Sequence, residues 1–565
     1  MLNLGTSTPN GQARAAALAV TAAAETVPVA IVPYASAGSL LIIGEEAQAL
    51  AAAKQCQQQQ DIRCTVLVAE PGMTTVGRRE QGGFTVLTAS VSELAGYLGA
   101  FQLTLAGKGS AAILNELTRG RQVFDLVLDL TTPAFINSEL LPPGYFAAAD
   151  DAAALQRALE EIPALVGEFE KPQFFSYNAS ICAHGRSGMT ACTRCLDACP
   201  TDAISSLVNT IEVNAGLCQG AGSCATACPT GAISYSYPRL SDSLNRLRAL
   251  LKAYRDNGGT DPVLLLHDSE AGRDVVMDVA VQLPEHVLPV ALQELGSAGM
   301  DTWLSALAYG AAAVVLLGTP GAPASVVREI KAQLEVARAL LEGMGYDAAA
   351  LHYTDLQDSH LIDNIKEIPV IQHQQPAGFA GLDEKRTVIR LAVEHLFATA
   401  ATQTRPLITL PTGAPFGDVL LDQARCTLCM ACVSQCPANA LSAGDETPQL
   451  GFIEANCVQC GLCCRTCPED AIAISPRYLY DFPRRNTRRI LYAEQPFACI
   501  VCGKPFASRG MIENITKKMQ AHAMFQGAAL ERIKMCEDCR VNDIYGDENS
   551  AAQVKVDPFT TGRAS

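Results

Sequence analysis

Residues 425–474 read RCTLCMACVSQCPANALSAGDETPQLGFIEANCVQCGLCCRTCPEDAIAI, and this stretch contains one cysteine motif twice. The first copy is Cys426-x2-Cys429-x2-Cys432-x3-Cys436-Pro437, and the second copy is Cys457-x2-Cys460-x2-Cys463-x3-Cys467-Pro468. Three cysteines at this spacing fit on one tight loop, and the cysteine before the proline leaves that loop. The repeat therefore predicts two metal sites that exchange their fourth ligands.

This exchange defines two sets of ligands for [4Fe-4S] clusters. The first set is Cys426, Cys429, Cys432 and Cys467, and the second set is Cys457, Cys460, Cys463 and Cys436. Cys464 falls outside the motif and is predicted to be a small buried residue. Disulfide frameworks are typical of short secreted chains, whereas this chain has 565 residues. Zinc sites use paired Cys-x2-Cys knuckles instead of a triple that ends in Cys-Pro, so both alternatives are disfavoured.

The duplicated motif resembles a complete two-cluster bacterial ferredoxin. The resemblance extends to the apolar residues that follow each Cys-Pro, within residues 438–441 and 470–472. It implies that residues 401–480 form a ferredoxin module with two low-potential [4Fe-4S] clusters.

Residues 172–240 contain a second block of cysteines, which resembles a ferredoxin but departs from the motif. The block reads Cys182-x9-Cys192-x2-Cys195-x3-Cys199-Pro200 and then Cys218-x5-Cys224-x3-Cys228-Pro229. Met189 stands where the motif has its first cysteine, and a methionine cannot act as a thiolate. Cys182 is the predicted substitute, because residues 184–188 form an insert that is flexible enough to loop out. The predicted ligands of this [4Fe-4S] cluster are Cys182, Cys192, Cys195 and Cys228.

The other predicted cluster of this block keeps three thiolates, because Ala221 stands where the motif has its second cysteine. These three are Cys199, Cys218 and Cys224. The arrangement is similar to that of seven-iron ferredoxins, which implies a [3Fe-4S] cluster. A [4Fe-4S] cluster with a non-cysteine ligand or an open iron is the alternative, and an empty pocket is the third interpretation. His184 is a candidate ligand, with a solvated loop histidine as the other interpretation.

Residues 481–545 carry two Cys-x2-Cys knuckles, which predict a zinc-ribbon-like element. The knuckles are Cys499 with Cys502 and Cys536 with Cys539. Four sulfurs suit a structural Zn²⁺, and a single redox-active iron is the alternative. A helix is predicted between the knuckles over residues 511–525, and residues 546–565 are predicted to be a disordered tail.

Two further stretches, residues 1–171 and 241–400, alternate apolar runs with helical patterns and predict α/β domains. In the first, strands are predicted at 29–32, 40–43, 65–68, 85–87 and 126–130, and helices at 45–56 and 152–162. In the second, strands are predicted at 263–266, 287–290 and 314–317, and helices at 274–281, 302–309 and 325–343. Together with the ferredoxin-like modules, these domains predict an α/β plus α+β fold class.

Neither α/β domain carries a cofactor signature. No G-x-G-x-x-G follows Gly44 in the first, where Cys56 and Cys64 are predicted to be core thiols. Residues 294–300 and 308–316 resemble the small domain that accompanies heterodisulfide reductases and methyl-viologen-reducing hydrogenases. That domain has cluster cysteines, whereas here no cysteine lies between Cys228 and Cys426. We therefore expect a metal-free scaffold or docking platform.

Charge and hydropathy restrict partners and location. The formal net charge is −16 and the pI is near 5.0, which disfavours binding to nucleic acid or to an anionic membrane. Residues 15–24 after Arg14 are only weakly apolar, and no run of 18 apolar residues occurs, so neither a signal peptide nor a membrane span is predicted. We expect a cytoplasmic protein.

Electron relay between redox partner proteins is the favoured function, because no paired acid and base, nucleophile elbow or flavin fingerprint is present. A catalytic subunit whose substrate binds the three-cysteine cluster is the alternative, and a maturation factor is a third. The order of modules is similar to that of the large ferredoxin-like proteins associated with bacterial formate dehydrogenases. This resemblance implies a formate dehydrogenase as partner. The cysteine sets predict three [4Fe-4S] clusters, and the three-cysteine site is predicted to hold a [3Fe-4S] cluster or a fourth [4Fe-4S] cluster, or to be empty.

Overall fold

The computed structural model describes residues 4–22, 29–58, 61–107, 110–149, 151–355, 361–372, 375–401, 405–445 and 447–545. The predicted tail at 546–565 lies outside these residues. The chain forms two compact units. Unit 1 comprises Met1–Cys182 and Thr193–Thr404, and unit 2 comprises Ala183–Cys192 and Arg405–Ser565. Ten residues of the first cysteine block, Ala183–Cys192, therefore belong to the unit that contains the C-terminal cysteines, and we call this segment the excursion.

The N-terminal part of unit 1 is built around one sheet. Its elements are α1 (Pro9–Ala22), β1 (Ile31–Ser36), β2 (Ser39–Ile43), α2 (Glu46–Cys56), β3 (Arg63–Ala69), β4 (Gly77–Gln81), β5 (Phe84–Ala89), β6 (Val91–Ala95), β7 (Gln102–Leu105), α3 (Ser110–Leu117), β8 (Leu126–Asp129), β9 (Tyr145–Ala147), α4 (Ala152–Glu161) and β10 (Gly167–Pro172). The strand order is β4-β5-β3-β2-β8-β9, and every pair except β4 with β5 is parallel. All of β2 is buried, as expected for a parallel strand covered on both faces.

This sheet confirms the predicted, largely parallel α/β arrangement, although the sequence analysis missed β4 and β9. The strand predicted at 29–32 forms β1 instead, which pairs antiparallel with β10 outside the main sheet. Residues 15–22 of the weakly apolar stretch after Arg14 lie in α1, which packs on the helix α7 (Leu240–Asp256) of the second α/β domain. The buried Arg14 guanidinium donates to the carbonyls of Pro284 and Val287, at 2.9 and 3.0 Å. Cys56 is a buried core residue, and Cys64 packs against the same core.

The first cysteine block forms two short antiparallel pairs within unit 1. Its elements there are β11 (Phe175–Tyr177), α5 (Arg194–Asp197), β14 (Ile204–Ser206), β15 (Ile211–Val213), α6 (Ser223–Ala227) and β16 (Ile233–Tyr235). Strand β11 pairs with β16, and β14 pairs with β15. The excursion in unit 2 contributes the strands β12 (Gly185–Arg186) and β13 (Met189–Thr190), which form a hairpin.

The second α/β domain of unit 1 contains a four-stranded, entirely parallel sheet. Its elements are α7 (Leu240–Asp256), β17 (Val263–Asp268), α8 (Ala271–Val279), β18 (Val287–Leu292), α9 (Met300–Ala308), β19 (Ala313–Gly318), α10 (Ala324–Met344), β20 (Leu351–Asp355), α11 (Leu361–Glu367) and α12 (Lys385–Thr399). The order β18-β17-β19-β20 places the three predicted strands side by side, and the sequence analysis missed β20.

Unit 2 consists of small sheets around the C-terminal cysteines. Its elements after residue 405 are β21 (Leu407–Thr409), β22 (Gly417–Leu421), α13 (Ala431–Gln435), β23 (Leu441–Ala443), β24 (Gln449–Phe452), α14 (Leu462–Thr466), β25 (Ile472–Leu479), α15 (Phe482–Asn486), β26 (Arg489–Ala493), β27 (Pro496–Ala498), β28 (Pro505–Ser508), α16 (Arg509–Met519), α17 (Ala528–Glu531) and α18 (Glu537–Tyr545). Strand β25 lies between β21 and β22, and β24 lies between β23 and β26. Helix α16 occupies part of the helix predicted at 511–525.

Candidate metal centres

The eight motif cysteines of unit 2 line two separate small cavities. One cavity is lined by Cys426, Cys429, Cys432 and Cys467. The other is lined by Cys436, Cys457, Cys460 and Cys463. Each cavity thus combines three thiols from one loop with the Cys-Pro thiol of the other copy. Four soft sulfur donors around one small space fit the chemistry of an iron–sulfur cluster.

The backbone of each loop explains how three thiols reach one cavity. The second and fourth residues after the first cysteine are left-handed in both copies: Leu428 and Met430 (φ +52° and +60°), and Gln459 and Gly461 (φ +54° and +78°). A non-glycine residue in this region costs about 1–2 kcal/mol. Such strain is kept where a site requires it, and here it turns successive thiols of the loop toward one cavity.

Burial disfavours the ionised form of these thiols when no metal is bound. Burial, followed by the neighbouring thiols, raises the pKa of Cys432 to about 12. The pKa of Cys460 is also raised to about 12, again mainly by burial. Because only the thiolate ligates iron, the positive charge of the metal must offset this cost. Backbone N–H groups contribute as well: those of Ala440 and Ala471 donate to the Sγ atoms of Cys436 and Cys467, both at 3.3 Å.

Cys464 does not line either of these cavities. It is half-buried and packs beside the core of the module, so its predicted burial is only partial. A hydrogen bond with Cys463 lowers the pKa of Cys464 to about 7. Cys464 therefore offers a matched control for its neighbour in the motif.

The cysteines of the first block that belong to unit 1 also converge. Five of them lie in one small apolar core: Cys182, Cys195, Cys199, Cys224 and Cys228. Burial raises the pKa of Cys224 well above its usual value, and the thiols of Cys218 and Cys199 raise it further. The structure therefore brings together the three cysteines predicted to share the incomplete site.

The loop that carries this incomplete site has the same twist as the loops of unit 2. Gly220 and Gly222 are left-handed (φ +82° and +79°), again at the second and fourth positions after the first cysteine. Ala221 lies between them, where the other loops have Cys429 and Cys460. The loop thus has the same left-handed positions as the three-cysteine loops, but it carries only two cysteines.

The sequence analysis missed two kinds of residue around this site. The Nζ of Lys171 donates to the carbonyl of Cys218 at 2.6 Å, and burial lowers the pKa of this lysine to about 8. Two threonine hydroxyls lie near cysteine sulfurs, Thr201 at 3.4 Å from Cys199 and Thr230 at 3.5 Å from Cys228. The repeated Cys-Pro-Thr sequence could have indicated that the threonines lie near the cysteines. No comparable pattern in the sequence indicates the contact of Lys171.

Cys192 and His184 lie in the excursion Ala183–Cys192, which packs on the ferredoxin-like module of unit 2. Arg186 donates to the carbonyls of Ser434 and Cys436, at 3.2 and 3.4 Å. The amide of Gln435 donates to the hydroxyl of Ser187 at 2.8 Å, and the Arg465 guanidinium donates to the carbonyl of Thr190. The excursion is therefore a hairpin that leaves the first cysteine block and docks on the ferredoxin-like module.

The hairpin carries two of the site candidates, His184 and Cys192. His184 is 2 % exposed and its Nδ1 lies 2.7 Å from the carbonyl oxygen of Cys192, so the solvated-loop interpretation is wrong. The thiol of Cys192 adds to the raised pKa of Cys460, after burial and after the thiols of Cys457 and Cys436. Cys192 thus lies beside the second cysteine cavity of unit 2.

The C-terminal knuckles form a compact group of four sulfurs. The Sγ atoms of Cys499, Cys502, Cys536 and Cys539 all lie within 4.8 Å of one another. Burial opposes ionisation of Cys499, yet backbone N–H groups, with those of Cys502 and Cys536 foremost, lower its pKa to about 6. This donor set fits a tetrahedral ion such as Zn²⁺ or a single iron.

Comparison with known proteins identifies one part of the chain. Residues 425–471 match the family of 4Fe-4S dicluster domains. No curated protein matches the chain. Among the described residues, none of the helices combines the length and the apolar character that crossing a membrane requires. The match and the two cysteine cavities show that the chain contains a ferredoxin-type iron–sulfur domain, which implies redox partners.

Proposed function

We propose that this chain is a multi-cluster electron-transfer protein that relays single electrons between redox proteins. The observation that supports it is the pair of four-cysteine cavities within residues 425–471, because each takes a ligand from the loop of the other. Sharing ligands in this way keeps two one-electron centres close together. The proposed clusters are [4Fe-4S] in both cavities.

The proposed relay includes a second ferredoxin module in residues 172–240. The antiparallel pairs and the left-handed loop positions support it. Cys182, Cys192, Cys195 and Cys228 are its proposed [4Fe-4S] ligands. Cys199, Cys218 and Cys224 are proposed to hold a [3Fe-4S] cluster, or a [4Fe-4S] cluster with one iron that lacks a thiolate.

A formate dehydrogenase is the proposed redox partner, and the cytoplasm is the proposed location. The test uses the full-length chain, purified without oxygen. Formate and a catalytic amount of formate dehydrogenase should bleach the cluster absorbance, and added cytochrome c should restore it. A sample without formate is the control. If dithionite reduces the clusters but no electrons pass to or from either protein, the relay is wrong.

The C-terminal knuckles are proposed to hold one structural Zn²⁺ through Cys499, Cys502, Cys536 and Cys539. A closed four-sulfur site leaves no open position for a substrate, and zinc carries no electrons. Metal analysis should give one zinc per chain, and Cys502→Ser should release that zinc with the iron content unchanged. Iron in place of zinc, with the visible spectrum of a rubredoxin, would contradict this assignment.

A further inference from the structure

One buried hydroxyl of unit 1 has no role in the sites described above. Tyr235 is the last residue of β16, and within the described part of the chain its hydroxyl oxygen has no hydrogen-bond partner. Tyr235 borders an open cavity of about 840 Å³, but the hydroxyl itself is buried and does not open into that cavity. A buried hydroxyl without a partner costs free energy, so an acceptor from outside the protein would be favoured there.

The strand places Tyr235 on the face that packs against the cysteines of the first block. Ile233 is buried in the apolar core that also contains Cys195, Cys224 and Cys228. Alternate residues of a β-strand share a face, so Tyr235 lies on the same face of β16 as Ile233.

The ring of Tyr235 is held beside the loop that begins at Cys218. It stacks on the ring of Phe174, with the ring centroids 6.3 Å apart and an interplanar angle of 17°. A Cβ on Gly220 would lie 2.8 Å from the Phe174 ring, so this ring lies directly against the loop. Phe174 thus connects Tyr235 with the backbone that carries the three-cysteine site.

The complete ferredoxin-like module of unit 2 indicates what this position faces. Tyr235 is the seventh residue after Cys228, and Ile474 is the seventh residue after Cys467. Ile474 lines the second cysteine cavity of unit 2. The cysteines of the first block that correspond to that cavity are Cys199, Cys218 and Cys224. The incomplete site therefore has a tyrosine where the complete site has an apolar side chain.

The electrostatic surroundings of Tyr235 agree with this position. Burial raises the pKa of Tyr235, and the Glu294 carboxylate and the thiols of Cys218 and Cys224 raise it further. The phenol therefore keeps its proton at neutral pH, which makes it a hydrogen-bond donor instead of an anionic ligand. No hydrogen bond joins it to Glu294, so its proton is available to another acceptor.

We propose that the Tyr235 hydroxyl donates a hydrogen bond to a sulfur atom of the iron–sulfur cluster at the three-cysteine site. This inference rests on the proposed function, because it requires a cluster at Cys199, Cys218 and Cys224. Both cluster types proposed there contain sulfur acceptors. Such a bond stabilises the reduced cluster, which carries more negative charge, and raises its midpoint potential. The missing fourth thiolate acts in the same direction, so the two features together favour an electron at this site.

The experiment compares the full-length chain, purified without oxygen, with Tyr235→Phe, which keeps the ring and removes the donor. The EPR signal of the three-cysteine site is the one that Cys224→Ala removes. In D₂O, electron–nuclear double resonance on this signal should show an exchangeable deuteron that Tyr235→Phe lacks. In an EPR-monitored redox titration, Tyr235→Phe should lower the midpoint of this cluster, with the iron content and the other midpoints unchanged.

Tyr237→Phe is the matched control. Tyr237 also packs on Phe174, with the ring centroids 6.0 Å apart, but its counterpart in unit 2, Pro476, does not line the second cysteine cavity. This variant should change neither the deuteron coupling nor the midpoint. Equal shifts in Tyr235→Phe and Tyr237→Phe would assign the effect to packing and overturn the proposal.

The two ways in which the proposal can fail are distinguishable. If the cluster is present but Tyr235→Phe changes only one of the two readouts, or neither, the hydroxyl has another partner, such as Glu294, and the proposal is wrong. The proposed cluster would then stand. If Cys224→Ala removes neither iron nor an EPR signal, the site is empty, and the proposed cluster and the role of Tyr235 fail together.

Discussion

Residues 175–235 and 417–479 fold in the same order, although only the second region keeps all eight motif cysteines. In each, the first strand pairs antiparallel with the last, a hairpin lies in the middle, and a short helix precedes each Cys-Pro. The third residue after each of the four Cys-Pro cysteines is left-handed: Asp202, Gly231, Asn439 and Asp470. The left-handed backbone positions are thus the same in both regions, although the number of cysteines differs. The conformation of the loops therefore does not depend on the cysteines that select the cluster.

The largest expected effect comes from the complete region. Cys463→Ala removes a ligand from one cavity and should cost the chain about four irons, because that cluster needs four thiolates. Cys464→Ala, one residue further along the chain, should leave the iron content unchanged. Iron and sulfide analysis of both variants measures this difference. Equal losses would show that the two adjacent cysteines do not have the separate roles that the motif gives them.

Adding a thiol to the incomplete region should make it more like the complete one. Ala221→Cys places a cysteine at the position that corresponds to Cys429 and Cys460. We expect a fully thiolate-ligated [4Fe-4S] cluster with a lower midpoint potential, because a fourth thiolate adds negative charge. EPR of the oxidised protein should lose any [3Fe-4S] signal. If neither the iron content nor any midpoint changes, the site of Cys199, Cys218 and Cys224 is empty or ligated elsewhere.

The two regions also differ in what surrounds the equivalent loop glycines. A Cβ on Gly222 would lie 2.5 Å from the Cα of Ser297, whereas a Cβ on Gly461 would meet nothing within 4 Å. Both glycines are left-handed, so each alanine variant should cost about 1–2 kcal/mol in strain. Gly222→Ala should cost about 1–3 kcal/mol more through overpacking.

Hydrogen exchange of peptides that cover each loop measures these local costs, because a chain of several domains does not unfold in one step. Exchange should accelerate more at residues 218–228 in Gly222→Ala than at residues 457–467 in Gly461→Ala. Equal acceleration would mean that the backbone at Ser297 moves away from the added Cβ at no cost in free energy.

The sequence predicted what depends on local spacing. The cysteine sets of the two cavities follow from spacing and from the exchange of the Cys-Pro ligands. The strands of both parallel sheets follow from continuous apolar runs such as β2 and β17, because strands buried on both faces lack polar residues. These features require no knowledge of distant contacts.

Features that depend on distant contacts were missed. The hairpin of Arg186 and Ser187 docks through single side chains, among them Gln435 and Arg465, and a few polar contacts leave no periodic pattern in the sequence. The cavity of about 840 Å³ in unit 1 is lined by residues from Thr21 to Lys385, so no short stretch could reveal it. The packing of α1 on α7 likewise depends on a partner more than 200 residues away.

The smallest expected effect concerns hydrogen bonds to cluster sulfur. In the incomplete region the hydroxyl of Thr201 lies 3.4 Å from the Sγ of Cys199, whereas the complete region has Ala438 at the corresponding position. A hydrogen bond to a ligand sulfur stabilises the reduced cluster, which carries more negative charge, and so raises the midpoint potential. Thr201→Val keeps the shape of the side chain and removes the donor, so the midpoint of the cluster proposed at Cys199 should fall by tens of millivolts. Thr201→Ser keeps the hydroxyl and should restore the potential, and Ala438→Val should leave the midpoints of the complete region unchanged. Equal shifts in Thr201→Val and Thr201→Ser would assign the effect to packing instead of the hydrogen bond.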